Sequence, residues 1–305
     1  MTIIERINEL KQNNDALIQR KEELIRKENN AFFTAQKKGV FCGACNDGWK
    51  RIKFESELFD AEEMNGSLKY FFESGYPVHC ECMGTSDLLR QIDAIEKNVS
   101  DSDNGGCEIQ RLENAREYIG QRIGHDYKDK SIYINGNAQN IDIVLRWIND
   151  GAKTPLAIIG ESGTGKTHLL CGIANEITLK KMSYMIVKAE RINSMTDKSI
   201  TPSDEMAERV KMMSTIQVLM IDDIMKAKMT DALYADVWFP IFDSRRNNGR
   251  ATIITLDGAI DDFATQYAQM SSNNRNNISA LKNRMLWTVE GETYAKAVFL
   301  KSVKK

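Results

Sequence analysis

One eight-residue stretch, at positions 160–167, constrains the fold of this chain more than any other part of its sequence. It reads Gly-Glu-Ser-Gly-Thr-Gly-Lys-Thr and matches the whole pattern G-x-x-x-x-G-K-[ST]. The glycines allow the backbone to wrap closely and to turn its N–H groups toward the β-phosphate of a nucleotide. Lys166 is expected to reach the β- and γ-phosphates, and the Thr167 hydroxyl is placed to hold Mg²⁺. The pattern therefore predicts a nucleoside triphosphate site with a magnesium ion.

The segments on both sides of this loop have the composition that such a site needs. Residues 155–159 read as a buried strand that enters the loop, and residues 167–179 read as a helix that leaves it. The predicted nucleotide-binding residues are Gly160, Glu161, Ser162, Gly163, Thr164, Gly165, Lys166, Thr167 and His168. Strand, loop and helix in this order favour a phosphate-binding loop over a chance glycine-rich turn.

A second strand is predicted to deliver two carboxylates to the same site. Residues 216–223 (Ile-Gln-Val-Leu-Met-Ile-Asp-Asp) are an almost continuous apolar run that ends in acid groups, as a buried parallel strand does. Asp222 is expected to hold Mg²⁺, directly or through water, and Asp223 to orient the attacking water. A solvated turn after the strand is the alternative, and it fits Asp223 better than Asp222.

Two later segments carry further candidates for a role in ATP hydrolysis. Residues 251–257 read as another buried strand. In many ATPases with a phosphate-binding loop, a polar residue at the end of a neighbouring strand contacts the γ-phosphate and is called a sensor. Thr255 and Asp257 are the candidates for this sensor role. Arg284 lies near the end of a predicted helix at residues 278–286. An arginine in this position can stabilise the γ-phosphate bound by a neighbouring subunit, and an ordinary surface arginine at a helix C-terminus is the alternative.

Composition limits the class of protein. The chain is 42% apolar and 28% charged, which is usual for a globular protein, and its net charge of −2 excludes a uniformly basic surface for nucleic acid. No apolar run approaches the roughly 18 residues that cross a bilayer, and the N-terminus lacks a signal-peptide core. We therefore expect a cytoplasmic protein with no membrane partner. Its cysteines should be reduced, so paired ones indicate metal before disulfide.

Residues 1–38 are predicted to form a first, helical region with the pattern of a coiled coil. Its marker positions alternate in spacing between four and three residues, as the a and d positions of a heptad do. These positions are Ile3, Ile7, Leu10, Asn14, Leu17, Lys21 and Leu24. Asn14 in such a seam would specify register or partner number. The helix could pack on its own domain or be offered to a protein partner, and the sequence favours neither.

Residues 39–85 are predicted to be a small zinc-binding element. The four candidate ligands are Cys42, Cys45, Cys80 and Cys82. Cysteine pairs from two separate knuckles can close a tetrahedral zinc site, and a segment this small gains from a metal. His79 could replace one thiolate. The alternatives are free cysteines in a small β-element and a redox C-x-x-C, for which the surrounding βαβ pattern is missing.

Four motifs follow one another in the order found in AAA+ ATPases: GESGTGKTHLL, VLMIDDI, TIITLD and ALKNRM. They resemble more narrowly the DnaC/DnaI-type replicative helicase loaders and the related IstB-type transposition ATPases, over about residues 119–300. Asp257 stands where the family usually has Asn, and Ala295 where it often has Arg. The two cysteine pairs resemble the zinc-binding N-terminal regions of some phage and bacterial loaders.

The resemblance implies both a fold and a domain order. The expected fold is α/β: a P-loop AAA+ core with a parallel sheet flanked by helices and no C-terminal lid. This core would occupy residues 119–305, with a helical linker at 86–118 joining it to the zinc-binding element and the N-terminal helix.

The resemblance also implies a function. It is that of a Mg²⁺-dependent ATPase that binds a DnaB-type hexameric replicative helicase and deposits it on single-stranded DNA. ATP-bound subunits would assemble into a ring or spiral, with Arg284 acting in trans. DNA contacts should be made to the backbone, and the candidate residues are Lys198, Lys211, Lys226 and Lys228. A transposition ATPase and an ATP-switched adaptor with negligible turnover are the alternatives.

Overall fold

The computed structural model describes most of the 305-residue chain. It leaves out residues 39–48, 53–75, 80–85, 102–104, 134–137, 196–202, 229, 259–274, 287, 290–291, 294–295 and 301–305. The predicted zinc ligands Cys42, Cys45, Cys80 and Cys82 and the predicted DNA-binding residue Lys198 lie outside the described residues. The chain divides into two compact units, one made of Asn8–Gln110 and the other of Met1–Ile7 with Arg111–Lys305.

The unit Asn8–Gln110 is helical with one small sheet. It contains most of helix α1 (Ile3–Lys38), helix α2 (Ser86–Ser100) and the start of helix α3 (Gly106–Arg122). Strands β1 (Trp49–Ile52) and β2 (Tyr76–His79) pair antiparallel, with Trp49 opposite His79.

The heptad seam of α1 is buried within the chain. Leu10, Asn14 and Leu24 are all less than 9% exposed. The facing helix α2 has its own apolar positions at the same alternating spacing, namely Leu88, Ile92, Ile95 and Val99. Lys21 connects the two helices, because its Nζ lies 2.6 Å from Glu96 Oε1. These seam positions of α1 are therefore buried within the chain's own fold.

The second unit is built on a five-stranded parallel sheet in the order β4-β5-β6-β3-β9. These strands are β3 (Leu156–Gly160), β4 (Tyr184–Lys188), β5 (Val218–Asp222), β6 (Thr252–Leu256) and β9 (Lys296–Leu300). Strand β3, which leads into the phosphate-binding loop, lies between β6 and β9, so it is an interior strand of the sheet. The α/β class and the parallel sheet are therefore confirmed.

Helices cover both faces of this sheet. The longer ones are α4 (Ala138–Asn149), α5 (Lys166–Leu179), α7 (Ser203–Thr215), α8 (Phe239–Asn247) and α9 (Arg275–Leu286). The unit also contains the short helix α6 (Ala189–Ile192), a π-helical turn at Tyr234–Trp238, and strands β7 (Thr288–Val289) and β8 (Glu292–Thr293). Strand β5 shows why two cores form. Leu219 and Ile221 enter a core with Trp238 on one face, while Val218 and Met220 enter a core with Trp147 on the other.

One charged side chain is buried on the side of the sheet whose core contains Trp238. Arg245 of α8 is 0% exposed. Its guanidinium donates to the carbonyl oxygens of Met213 and Ile216, both at 2.8 Å, and also to those of Gln217 and Ala251. Arg245 thereby caps the end of α7 and the start of β6 with one fork of donors. In the part of the chain that is described, no helix is long and apolar enough to cross a membrane.

Candidate nucleotide-binding site

The predicted phosphate-binding loop connects β3 to α5 in a conformation that depends on glycine. Gly165 has φ 93°, in the left-handed region, and it directly precedes the helix. A Cβ on Gly160 would lie 2.6 Å from Thr164 Oγ1 and 2.8 Å from the carbonyl oxygen of Leu300. No side chain fits there without moving β9. The loop is therefore tightly packed, and helix α5 begins directly after it at Lys166.

Lys166 is buried and its ammonium is fully engaged within the chain. Its Nζ donates to the carbonyl oxygens of Gly160 at 2.9 Å and of Glu161 at 2.8 Å. It also forms an ion pair with Asp257, whose side chain is 47% exposed. Asp257, the predicted sensor at the end of β6, therefore contacts the lysine that is expected to bind phosphate.

Asp222 is held at the carboxyl end of β5 by two hydroxyl groups. Thr255 Oγ1 of the neighbouring strand β6 donates to Asp222 Oδ1 at 2.8 Å, and Thr167 Oγ1 lies 3.2 Å from both carboxylate oxygens. Burial raises the pKa of Asp222, and the hydrogen bond from Thr255 opposes that rise. A hydroxyl and a carboxylate this close offer the hard oxygen ligands that Mg²⁺ takes. Thr167 and Asp222 therefore fit the magnesium role predicted for them.

Asp223 follows in a backbone conformation that is uncommon for a residue with a side chain. Its φ and ψ are both 54°, and its N–H donates to Thr255 Oγ1 at 2.7 Å. The turn that it begins, a 3₁₀ helix at Ile224–Lys226, brings Lys226 Nζ back to 2.8 Å from Asp223 Oδ2. The hydrogen bond that Lys226 donates to Asp223 raises the pKa of Lys226, which keeps this amine cationic.

Two adjoining cavities lie above these strand ends. The larger, of about 320 Å³, is lined by the phosphate-binding loop together with Asp223, Lys226 and Asp257. The smaller, of about 200 Å³, is lined by Asp222 with Lys188, Glu190 and other residues. Four residues line both cavities: Tyr127, Thr167, Asp223 and Lys226. The structure thus brings together the loop, the two carboxylates Asp222 and Asp223, and the predicted sensor residues Thr255 and Asp257.

Tyr127 is a residue of this site that the sequence motifs did not indicate. Its ring lies 5.0 Å from that of His168, centroid to centroid. The segment around it is seated directly on α5, because Asn175 Nδ2 donates to the carbonyl oxygens of Lys128 and Lys130 at 3.1 and 2.8 Å. A Cβ on Gly172 would lie 2.7 Å from the backbone nitrogen of Ile132. Asn175 and Gly172, which lie on the largely apolar buried face of α5, are the signals that could have located this segment.

The other predicted residues lie apart from the loop or outside the cavities. Arg284 of α9 contacts α8 of its own chain: its Nε lies 2.5 Å from Asp243 Oδ1, and its guanidinium carbon 4.4 Å from the centre of the Phe239 ring. Of the described members of the predicted DNA-binding set, Lys211 and Lys228 are exposed. Lys226 is exposed as well, and it also lines both of the cavities described above.

The fold and the site together match a P-loop core of the AAA+ type, and similar proteins are known. Residues 132–278 match the family described as the bacterial DnaA ATPase domain. The chain is similar to the replicative helicase loader DnaI of Bacillus subtilis (strain 168), with 27% identity over 157 residues, 49% of each chain. It is also similar to the chromosomal replication initiator protein DnaA of Spiroplasma citri, with 30% identity over 43% of this chain and 29% of that protein. The predicted resemblance is confirmed.

The matched stretch spans about half the length of the loader and less than a third of the initiator. Among solved structures, a crystal structure of DnaI is similar at a TM-score of 0.47, with 22% identity, covering 61% of this chain and 93% of that one. A crystal structure of the DnaC helicase loader is similar at a TM-score of 0.44, with 17% identity, covering 58% and 99%.

Proposed function

We propose that this chain is an ATP-dependent loader of a hexameric replicative helicase onto single-stranded DNA. The observation that carries the proposal is the contact between the loop and the carboxylate at the end of β5. The Thr167 hydroxyl donates to Asp222, and Thr167 and Lys166 line the same cavity. The similarity to a replicative helicase loader and to replication initiators supports replication, rather than a small substrate, as the setting.

In the proposed site each side chain has a separate task. The loop backbone and Lys166 bind the phosphates, and Thr167 with Asp222 holds Mg²⁺, which supplies neutralising charge when bound. Thr255 orients Asp222 and at the same time accepts the N–H of Asp223, so it sets both acids with one hydroxyl. Asp223 orients the attacking water. Asp257 lies where the γ-phosphate would compete with it for Lys166.

Formation of a complex with the replicative helicase tests this function. We expect the wild-type chain to co-elute with the hexamer from a sizing column when ATP is present, and the Lys166→Ala variant to co-elute much less. A complex that forms without any dependence on ATP or on Lys166 would contradict the proposal. A complex that depends on ATP binding without measurable hydrolysis would identify the ATP-switched adaptor instead.

The ion pair between Lys166 and Asp257 leads to a prediction about ATP affinity. The Asp257→Asn variant should bind ATP about threefold more tightly, because an ion pair with one exposed partner contributes roughly 0.2–1 kcal/mol that ATP must displace. Loss of the carboxylate also removes repulsion of the γ-phosphate. Titration calorimetry with wild type and variant measures the difference, and weaker ATP binding by the variant would show that Asp257 assists rather than competes.

Arg284 is proposed to act on the nucleotide of a neighbouring subunit, for which it must leave Asp243. The Lys166→Ala and Arg284→Ala variants should each hydrolyse little ATP alone. Mixed together, they should recover activity, because an intact loop on one subunit then meets an intact arginine on the next. Hydrolysis that stays at the level of the separate variants, although the mixture assembles, would show that Arg284 does not act in trans.

Lys198, Lys211 and Lys228 are proposed to contact the DNA backbone. Reversing their charge to Glu should weaken single-stranded DNA binding and reduce the slope of log affinity against log salt by about 2, since each phosphate contact on a single strand contributes roughly 0.7 to that slope. Fluorescence anisotropy at several salt concentrations measures both effects. Lys153→Glu, an exposed lysine outside the proposed set, serves as the control. An unchanged slope would remove these residues from the DNA surface.

The N-terminal regions are proposed to contact the helicase, with Cys42, Cys45, Cys80 and Cys82 holding a structural zinc ion. Two paired knuckles are the supporting observation. Zinc content of the purified chain, compared with that of a Cys42→Ser, Cys45→Ser variant, tests the metal.

A further inference from the structure

Lys226, which the sequence groups with the candidate DNA-binding lysines, lies in the candidate nucleotide site. Its ammonium lies 2.8 Å from Asp223, and its charge is also supported by Glu190 and Asp257. It lines both cavities, together with Thr167 and Tyr127. Its side chain is 58% exposed, so the ammonium can change partners without a change in the core.

The backbone beneath Lys226 is fixed although its side chain is not. Asn193 Nδ2 donates to the carbonyl oxygen of Lys226 at 3.1 Å, and Asn193 Oδ1 accepts the N–H of Lys228 at 2.6 Å. On the other side, the N–H of Lys226 donates to the carbonyl oxygen of Asp223 at 2.9 Å. Buried Ile224 anchors the same turn. The backbone of Lys226 is therefore fixed, while its exposed side chain has room to move the ammonium into the cavity.

We propose that Lys226 binds the γ-phosphate of ATP from within its own chain, exchanging Asp223 for the phosphate and freeing Asp223 to orient water. The inference rests on the proposed function, because it needs ATP in this site. The exchange makes and breaks no covalent bond. A cation moves from a carboxylate to a phosphate oxygen, and the carboxylate that it leaves becomes available to a water molecule.

The charge around the larger cavity supports this role. Among the described residues, the lysines that line that cavity are Lys166 and Lys226, and Asp223 and Asp257 line it as well. Each lysine is paired with one of these acids, Lys166 with Asp257 and Lys226 with Asp223. Binding a triphosphate beside two carboxylates is unfavourable unless both cations turn toward it. Arg284 is paired with Asp243 on another part of the fold. Within a single chain, Lys226 is therefore better placed than Arg284 to contact the γ-phosphate.

The experiment compares the affinities of ATP and ADP, since a contact to the γ-phosphate is lost with ADP. The Lys226→Met variant should bind a non-hydrolysable ATP analogue about tenfold more weakly than wild type, while ADP affinity changes less than about twofold. Lys226→Arg should retain most of the ATP affinity, because it restores a cation. Lys153→Met, an exposed lysine outside both cavity linings, should behave as wild type.

The outcomes separate this inference from the proposed function. If wild type binds ATP through Lys166 but Lys226→Met loses ATP and ADP affinity equally, or neither, then Lys226 does not contact the γ-phosphate. If Lys226→Met instead weakens single-stranded DNA binding measured without nucleotide, at an unchanged ATP-to-ADP ratio, Lys226 belongs to a DNA surface and the inference is overturned. If wild type itself binds no ATP, the proposed function fails, and the inference fails with it.

Discussion

Replacing Lys166 by alanine is expected to weaken ATP binding by about a hundredfold or more. The lysine is buried at the start of α5, and its ammonium is aimed at the loop. Hydrogen bonds between charged groups contribute about 1.5–3 kcal/mol each, and contacts to two phosphates would therefore account for a loss of this size. Titration calorimetry with a non-hydrolysable analogue measures the loss directly.

The matched control for Lys166→Ala is Lys153→Ala, which removes an exposed lysine from the same unit. Circular dichroism of both variants establishes that the fold is retained. ATP binding by Lys166→Ala at wild-type strength would mean that the loop is not the nucleotide site, whatever its sequence pattern.

Replacing Arg245 by methionine is expected to destabilise the unit that contains the parallel sheet by about 4 kcal/mol. The methionine replaces the aliphatic stem of the arginine but leaves the carbonyl oxygens of Met213, Ile216 and Gln217 without their donor, and a buried acceptor left unsatisfied costs about 1–3 kcal/mol. Burial and nearby Arg250 lower the pKa of Arg245 to about 9, which leaves the guanidinium protonated at neutral pH. The cation therefore contributes its full set of donors under ordinary conditions.

Urea unfolding followed by tryptophan fluorescence measures this loss as a shift of the midpoint. Arg209→Met, a half-exposed arginine on α7, should change stability by less than about 1 kcal/mol. Arg245→Lys should fall between the two, since a lysine cannot span several carbonyl groups at once. A midpoint for Arg245→Met equal to that of wild type would show that water replaces the guanidinium.

Local patterns predicted the parts of this site that depend on consecutive residues. The loop, the apolar strand before it and the acid pair after β5 are each read from a short window, because period and composition determine strand, turn and helix. Parallel strands then bring their carboxyl ends to one edge, so the proximity of Asp222 and Thr167 follows once the strands are recognised. The heptad seam of α1 and a helix within residues 86–118 were likewise predicted, although the ion pair between Lys21 and Glu96 that connects them was not.

Contacts between distant segments could not be predicted in this way. The ion pair of Lys166 with Asp257 joins residues 91 positions apart in number, and nothing in either strand indicates it. Lys226 was grouped with surface lysines because a turn that doubles back to Asp223 depends on an unusual φ at that residue. Arg245 resembles any polar helix residue until the carbonyl groups of α7 and β6 surround it. These features depend on packing between segments that are far apart in the chain, and a single sequence does not reveal such packing.

Loading of a hexameric replicative helicase onto closed circular single-stranded DNA tests the central claim most directly, because a circle offers no end for a ring to thread. With the wild-type chain and ATP together, helicase should accumulate on the circle and should be recovered with it after gel filtration. Omission of ATP, or use of the Lys166→Ala variant, should abolish this gain. Equal amounts of helicase on the circle with and without the wild-type chain would contradict the proposed function.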